Sequence, residues 1–209
     1  MLLAAVVFFF IVTIGAPILG KYIAMVYRYD YKDQQILKNR KSRFVSQNWR
    51  EYFKSLICFN IICIICTFLI LYFQHYLPLA SESTHQMTFS NALNAAVSFS
   101  TGTFWQSHNP ETEMSMFSHL FALTMQNFLA GATGIAVFIA FIRGIINNRN
   151  PYIGNFYDDF LRAMLFILIP FSIIAAIALI AFGVPYDFTG IISYANMSGS
   201  PEQLYLGPV

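Results

Sequence analysis

The sequence predicts an all-α membrane protein: four transmembrane helices, with one short re-entrant segment between the second and the third. Three observations carry this. Only 11% of the 209 residues are charged and 57% are hydrophobic, against about 25% charged in an average soluble domain. Four apolar stretches approach or exceed the roughly 20 residues that cross about 30 Å of hydrocarbon. All twelve Lys and Arg fall in just two of the segments between these stretches. Runs this long without alternation exclude a β-barrel, and in lipid only helices then satisfy the backbone. A net charge of +2 excludes a strongly basic nucleic-acid binder and an acidic disordered tail. Membrane lipid is the expected surrounding, and no nucleic acid is expected as a partner.

The first span covers residues 1–20 and is uncharged from Leu2 onward. A cleaved signal peptide would carry positive charge before its apolar stretch. Here Lys21 and Arg28 follow it, so the reading is a retained span with its N-terminus outside. Residues 21–54 form a basic loop that holds nine of the twelve cations. The second span runs from 55 to about 76 and is apolar to 73. The third, 114–142, is long enough to cross tilted. A loop over 145–162 leads to the fourth span, 163–186, and 187–209 form a tail. The two basic loops belong in the cytoplasm by the positive-inside rule. With their acids they sum to +7, against −5 on the other side. Contact of the basic loop with anionic lipid accompanies this reading. Cys63 and Cys66 make a C-x-x-C within the second span, a setting for packed or lipid-facing thiols; redox or zinc chemistry needs a polar, accessible site. The four histidines show no metal spacing.

The outer segment between spans two and three is the most informative. Residues 89–99 read as a short helix, with Thr88 or Ser90 as its N-cap. About eleven residues make roughly 16 Å, half a bilayer. Ser100-Thr101-Gly102-Thr103-Phe104-Trp105-Gln106 should not continue the helix. Span, half-helix, Thr-Gly-Thr and span make the layout of a re-entrant pore helix and filter loop, within a repeat over 55–144. Non-helical backbone at membrane depth is tolerated where it lines a cavity or is buried in protein. There its carbonyls replace the hydration shell of a cation. A helix C-terminus favours that cation, and oxygen ligands without a charged ring suit a weakly hydrated monovalent ion better than magnesium. The alternative is an ordinary outer loop with an interfacial helix and Trp105 as its anchor.

Gln126 and Asn127 lie inside span three, where amides are costly unless paired. They either bond helix to helix or line the route below the filter loop. Asp159 and Arg162 stand three residues apart and read as a surface pair. Pro170 should kink span four, and Gly131, Ala132 and Gly134 permit close packing in span three. The chain has neither a G-x-x-x-x-G-K-[ST] loop nor a D-K-T-G motif, so no catalytic site of its own and no organic cofactor are expected.

Several stretches carry a family likeness: Gln74-His75-Tyr76-Leu77-Pro78-Leu79, Ala92-Leu93-Asn94, Ala96-Val97-Ser98-Phe99, Trp105-Gln106-Ser107, Gln126-Asn127-Phe128-Leu129 and Gly134-Ile135-Ala136-Val137. Asn48-Trp49 and Gly154-Asn155, with Asp159 and Arg162, fit the same pattern. Together they resemble the potassium-transporting ATPase A chain of the bacterial Kdp system. The resemblance implies a superfamily of potassium transporters built from four fused span–pore-loop–span repeats. In this family a further N-terminal span precedes the repeats. Span one matches that extra span, spans two and three match repeat one, and span four opens repeat two. The resemblance further implies a non-catalytic subunit of a P-type ATPase complex in the bacterial inner membrane. It would bind and translocate K+ from the external face and pass it to the P-type ATPase B subunit, which uses the ATP, with small C and F subunits. By position, Thr101, Gly102 and Thr103 are carried over as carbonyl donors to K+, and Ser100 and Gln106 as flanking residues. The family's first filter strand resembles T-N-T-x-W-Q. Glycine replaces asparagine at 102, and Phe104 is bulky where polar residues are common. About two-fifths of a family-length chain is present, with one filter quarter of four. The expectation is therefore that the remaining C-terminal repeats are partners. The alternatives are a truncated, non-functional fragment or a homo-oligomeric pore-loop channel.

Overall fold

The computed structural model describes residues 2–27, 46–79, 86–105, 113–146, 151–184, 190–195 and 201–206. Its first element, α1, is Leu2–Val26. It runs past Gly20 because its last turns dock on the final span. The Tyr22 hydroxyl donates to the Phe166 carbonyl at 2.6 Å, and the buried Tyr27 hydroxyl donates to the Asp159 carbonyl at 3.0 Å.

Helix α2 is Trp49–Tyr72, and it starts six residues before the apolar run. A capping box sets that start. The Asn48 side chain accepts from the Arg50 and Glu51 amides, both at 3.0 Å, and Glu51 accepts from the Asn48 amide at 3.0 Å. This satisfies donors that a helix start leaves orphaned, so polar residues can begin a span. After a 3-10 turn at Gln74–Tyr76 comes α3, Phe89–Ser100, capped by Thr88. The third long helix, α4, is Met116–Ile146, with a π-helical turn at His119–Thr124.

Strands β1 (Gln47–Asn48) and β2 (Tyr152–Gly154) pair antiparallel and bring the starts of α2 and α5 together. Helix α5 is Phe156–Ala181, capped by the Asn155 side chain. A π-helical turn at Ala163–Leu168 precedes Pro170. In a regular helix the proline would leave the carbonyl four residues back without its donor. That carbonyl belongs to Phe166, and Tyr22 of α1 supplies the missing donor. Strands β3 (Gly190–Ala195) and β4 (Pro201–Leu206) pair as an antiparallel hairpin, where the sequence had suggested only a tail.

Helices α2, α4 and α5 are each long and apolar enough to cross a membrane. Their outward residues are large and apolar, and none of Ile169–Ala181 is buried. This is the surface of a membrane protein. Two cores lie inside. One joins α1, α2, α4 and α5 through Tyr27, Tyr52, Ala136, Ile139, Phe156 and Phe160. The other joins α2, α3 and α4 through Leu71, Ala92, Ala95, Phe99, Ala122 and Leu123.

The first core encloses a charged knot. Asp159 is fully buried and pairs with Arg143 at 2.8 Å. The Arg143 guanidinium also donates to the Ile153 carbonyl at 3.2 Å. The Tyr52 hydroxyl lies 3.3 Å from Asp159 and 2.9 Å from the Ala136 carbonyl. Burial, reinforced by Asp159, pushes the Tyr27 phenol well above its ordinary pKa, so it stays a donor. Gly154 adopts φ +117, and a Cβ there would run into the Arg143 guanidinium. The expected surface pair of Asp159 with Arg162 is therefore corrected. Arg162 instead pairs with Asp158 at 3.1 Å and donates to the Val26 carbonyl at 2.9 Å. The i,i+4 spacing to Asp158 sets the charges on one helix face, while Asp159 turns inward to Arg143.

Candidate ion-binding loop

Helix α3 is short because its far end runs into residues that break helical geometry. Ala92, Ala95, Ala96 and Phe99 are buried on one face, and small side chains let α3 lie close to α2. Gln74 braces the opposite side. Fully buried, it donates to the Glu113 carbonyl at 2.9 Å and accepts from the Ser115 amide at 3.3 Å. The segments flanking the half-helix are thereby joined across the loop.

The chain beyond α3 folds back on its last turn. The Thr101 amide donates to the Val97 carbonyl at 3.0 Å, and the Gly102 amide to Phe99 at 3.2 Å. Thr103 and Phe104 then both donate to the Ser98 carbonyl, at 2.9 and 3.3 Å. The Trp105 amide closes the loop on the Ser98 hydroxyl at 2.6 Å. The Thr101 hydroxyl bonds the Val97 carbonyl at 2.8 Å and lies 3.2 Å from the Thr103 hydroxyl. Gly102 is left-handed at φ +75, and so is Phe104 at φ +55. Among the described residues, no hydrogen bond is accepted by the carbonyls of Thr101, Gly102 or Thr103. Three consecutive carbonyls thus stand free at the negative end of a helix, with Thr101, Gly102 and Thr103 exposed.

Ser100, by contrast, is buried, and its hydroxyl has no hydrogen-bond partner among the described residues. Gln106 lies outside the described residues. Gln126 is buried and donates to the Thr67 hydroxyl at 2.6 Å and the Cys63 carbonyl at 3.2 Å; its neighbour Asn127 is exposed. Ser98 and Gln74 are the residues that sequence reasoning passed over. Each lay inside a motif quoted for the family likeness, but nothing in the local pattern signalled a brace.

The sequence profile described as "Potassium-transporting ATPase A subunit" (KdpA) matches residues 6–209. The chain belongs to this family. Curated relatives bear the name potassium-transporting ATPase potassium-binding subunit. That of Leptospira interrogans is 39% identical over 212 residues, covering 97% of this chain and 37% of its own length. That of Hydrogenobaculum sp. is 39% identical over 196 residues, covering 88% and 34%. That of Methylacidiphilum infernorum is 38% identical over 173 residues, covering 80% and 30%. The chain therefore spans about 37% of the length of the Leptospira relative. The family likeness also bears on the departure at 102. Asparagine is among the few residues besides glycine that visit the left-handed region readily. Gly102 at φ +75 lies in a region that asparagine also visits more readily than most residues.

Proposed function

We propose that this chain supplies the extra N-terminal span and the first filter quarter of the potassium-binding, potassium-translocating subunit of an ATP-driven uptake pump. K+ is held at the external face by the backbone carbonyls of Thr101, Gly102 and Thr103, with Ser100 and Gln106 flanking them. The supporting observation is the run of three free carbonyls at the C-terminal end of a half-span helix. Asn127, exposed beside the helix-to-helix tie made by Gln126, lines the route below. One quarter cannot ring an ion, so the remaining three pore loops act with this chain. K+ then passes to the P-type ATPase B subunit, which hydrolyses the ATP, with C and F subunits completing the complex. The complex sits in the bacterial inner membrane with the N-terminus of this chain outside and its basic loops in the cytoplasm.

Gly102→Asp tests the filter. Among the described residues an added Cβ would come within 4 Å only of the Ala130 Cβ, at 4.0 Å, so these residues leave room for it. Aspartate also tolerates the left-handed region better than most residues. The main change is a carboxylate beside the ion path. In the assembled pump the variant should shift the K+ concentration for half-maximal ATPase activity by about tenfold or more, as for about 1.4 kcal/mol of altered ion binding. Unchanged K+ dependence in assembled complex would sink the filter assignment.

A further inference from the structure

Three consecutive amides of the candidate filter loop, those of Thr103, Phe104 and Trp105, converge on one residue that is not itself part of the Thr-Gly-Thr run. Ser98 sits in the last turn of α3 and is 6% exposed. Its carbonyl accepts from the Thr103 and Phe104 amides and lies 3.3 Å from the Thr101 hydroxyl. Its own hydroxyl accepts from the Trp105 amide at 2.6 Å. The side-chain bond and the main-chain bonds grip the loop on either side of Phe104. That residue is held in the left-handed region at φ +55, a conformation that bulky residues adopt only where surroundings over-determine it. The backbone could relieve this by rotating out of the left-handed region. Rotation about Phe104 would carry the preceding peptide with it and re-aim the Thr103 carbonyl.

We propose that Ser98 is a positioning residue for ion selection: its hydroxyl fixes the Trp105 amide and thereby holds the Thr101–Thr103 carbonyls at the spacing that discriminates one monovalent cation from another. The inference rests on the filter reading above and goes beyond it by assigning selectivity to a side chain outside the Thr-Gly-Thr run. Alanine at 98 keeps the helix and the main-chain acceptor and deletes only the hydroxyl. Threonine keeps the hydroxyl.

The test uses the assembled transporter in membrane vesicles, with this chain as wild type, Ser98→Ala or Ser98→Thr. ATP hydrolysis is titrated with K+ and with Rb+, and rates are normalised to assembled complex. Ser98→Ala should raise the half-saturating K+ concentration about tenfold and reduce the preference for K+ over Rb+ by a similar factor, as expected for losing one buried hydrogen bond. The maximal rate should stay within about twofold, since the energy-coupling machinery is untouched. Ser98→Thr should restore both quantities. Amide exchange at Trp105 should accelerate in Ser98→Ala whether or not transport is measured. An unchanged K+-to-Rb+ preference in Ser98→Ala overturns the proposal, and so does an unchanged Trp105 exchange rate. A wild-type complex that does not distinguish K+ from Rb+ while Trp105 exchange does accelerate points instead to failure of the filter reading.

Discussion

Phe104 shows what a single residue in this loop must withstand. The left-handed conformation costs a non-glycine residue about 1–2 kcal/mol, and here two amide bonds to Ser98 and an edge-on contact with the Phe99 ring at 5.5 Å hold it. Nothing in the one-dimensional pattern marks this. Gly102 advertises its own freedom, but a phenylalanine two residues later gives no sign that it shares it. Asp159 makes the same point at the other end of the molecule. Its neighbours along the helix suggest Arg162, yet the carboxylate is fully buried against Arg143, which lies 16 residues earlier, on a different helix. Removing one partner of a buried ion pair leaves the other charged and unpaired, at about 3–5 kcal/mol. Asp159→Ala should therefore lower stability by about 3 kcal/mol, read as denaturant unfolding of the detergent-solubilised protein. The double variant Asp159→Leu with Arg143→Met should recover most of that loss, and failure to recover any would mean the knot does not act as a pair.

Among the elements, the helices that cross the membrane were evident from hydropathy, but their ends were not. Helix α2 begins at Trp49 rather than 55 because a capping box, not apolarity, nucleates it. Helix α5 begins at Phe156 rather than 163 because Asn155 caps it beside the β1–β2 pair. Proline 170 was expected to kink its helix; a π-helical turn precedes it, and Tyr22 from α1 bonds the carbonyl it would free. That bond belongs to the pairing of two elements, so a double-mutant cycle isolates it. Tyr22→Phe should cost about 0.6–1 kcal/mol with proline at 170. With Pro170→Ala the helix regains its own donor, and the same change should cost much less. Equal costs in both backgrounds would show that the hydroxyl serves no helix repair.

For the whole molecule, the proposed orientation rests on charge segregation. A net charge of +2 conceals +7 in two loops and −5 elsewhere, and the loop with α3 lies on the acidic side. In a variant whose Cys58, Cys63 and Cys66 are replaced by alanine, Tyr76→Cys should react with an impermeant thiol reagent applied to intact cells. Tyr152→Cys should react only after the membrane is opened. Both positions are exposed in the fold, so the reverse pattern would invert the assignment of sides. Chain patterning alone specified the membrane class, the number of apolar runs, a short helix near residues 89–99 and the family, because hydropathy, charge placement and short motifs are properties of neighbours along the chain. It did not specify that Asp159 meets Arg143, that Tyr22 mends the break at Pro170, that Gln126 ties α4 to α2, or that Ser98 gathers the loop beyond α3. Each of these joins groups whose partner is chosen by packing, where a buried polar atom must bond to whatever donor or acceptor the fold brings within reach.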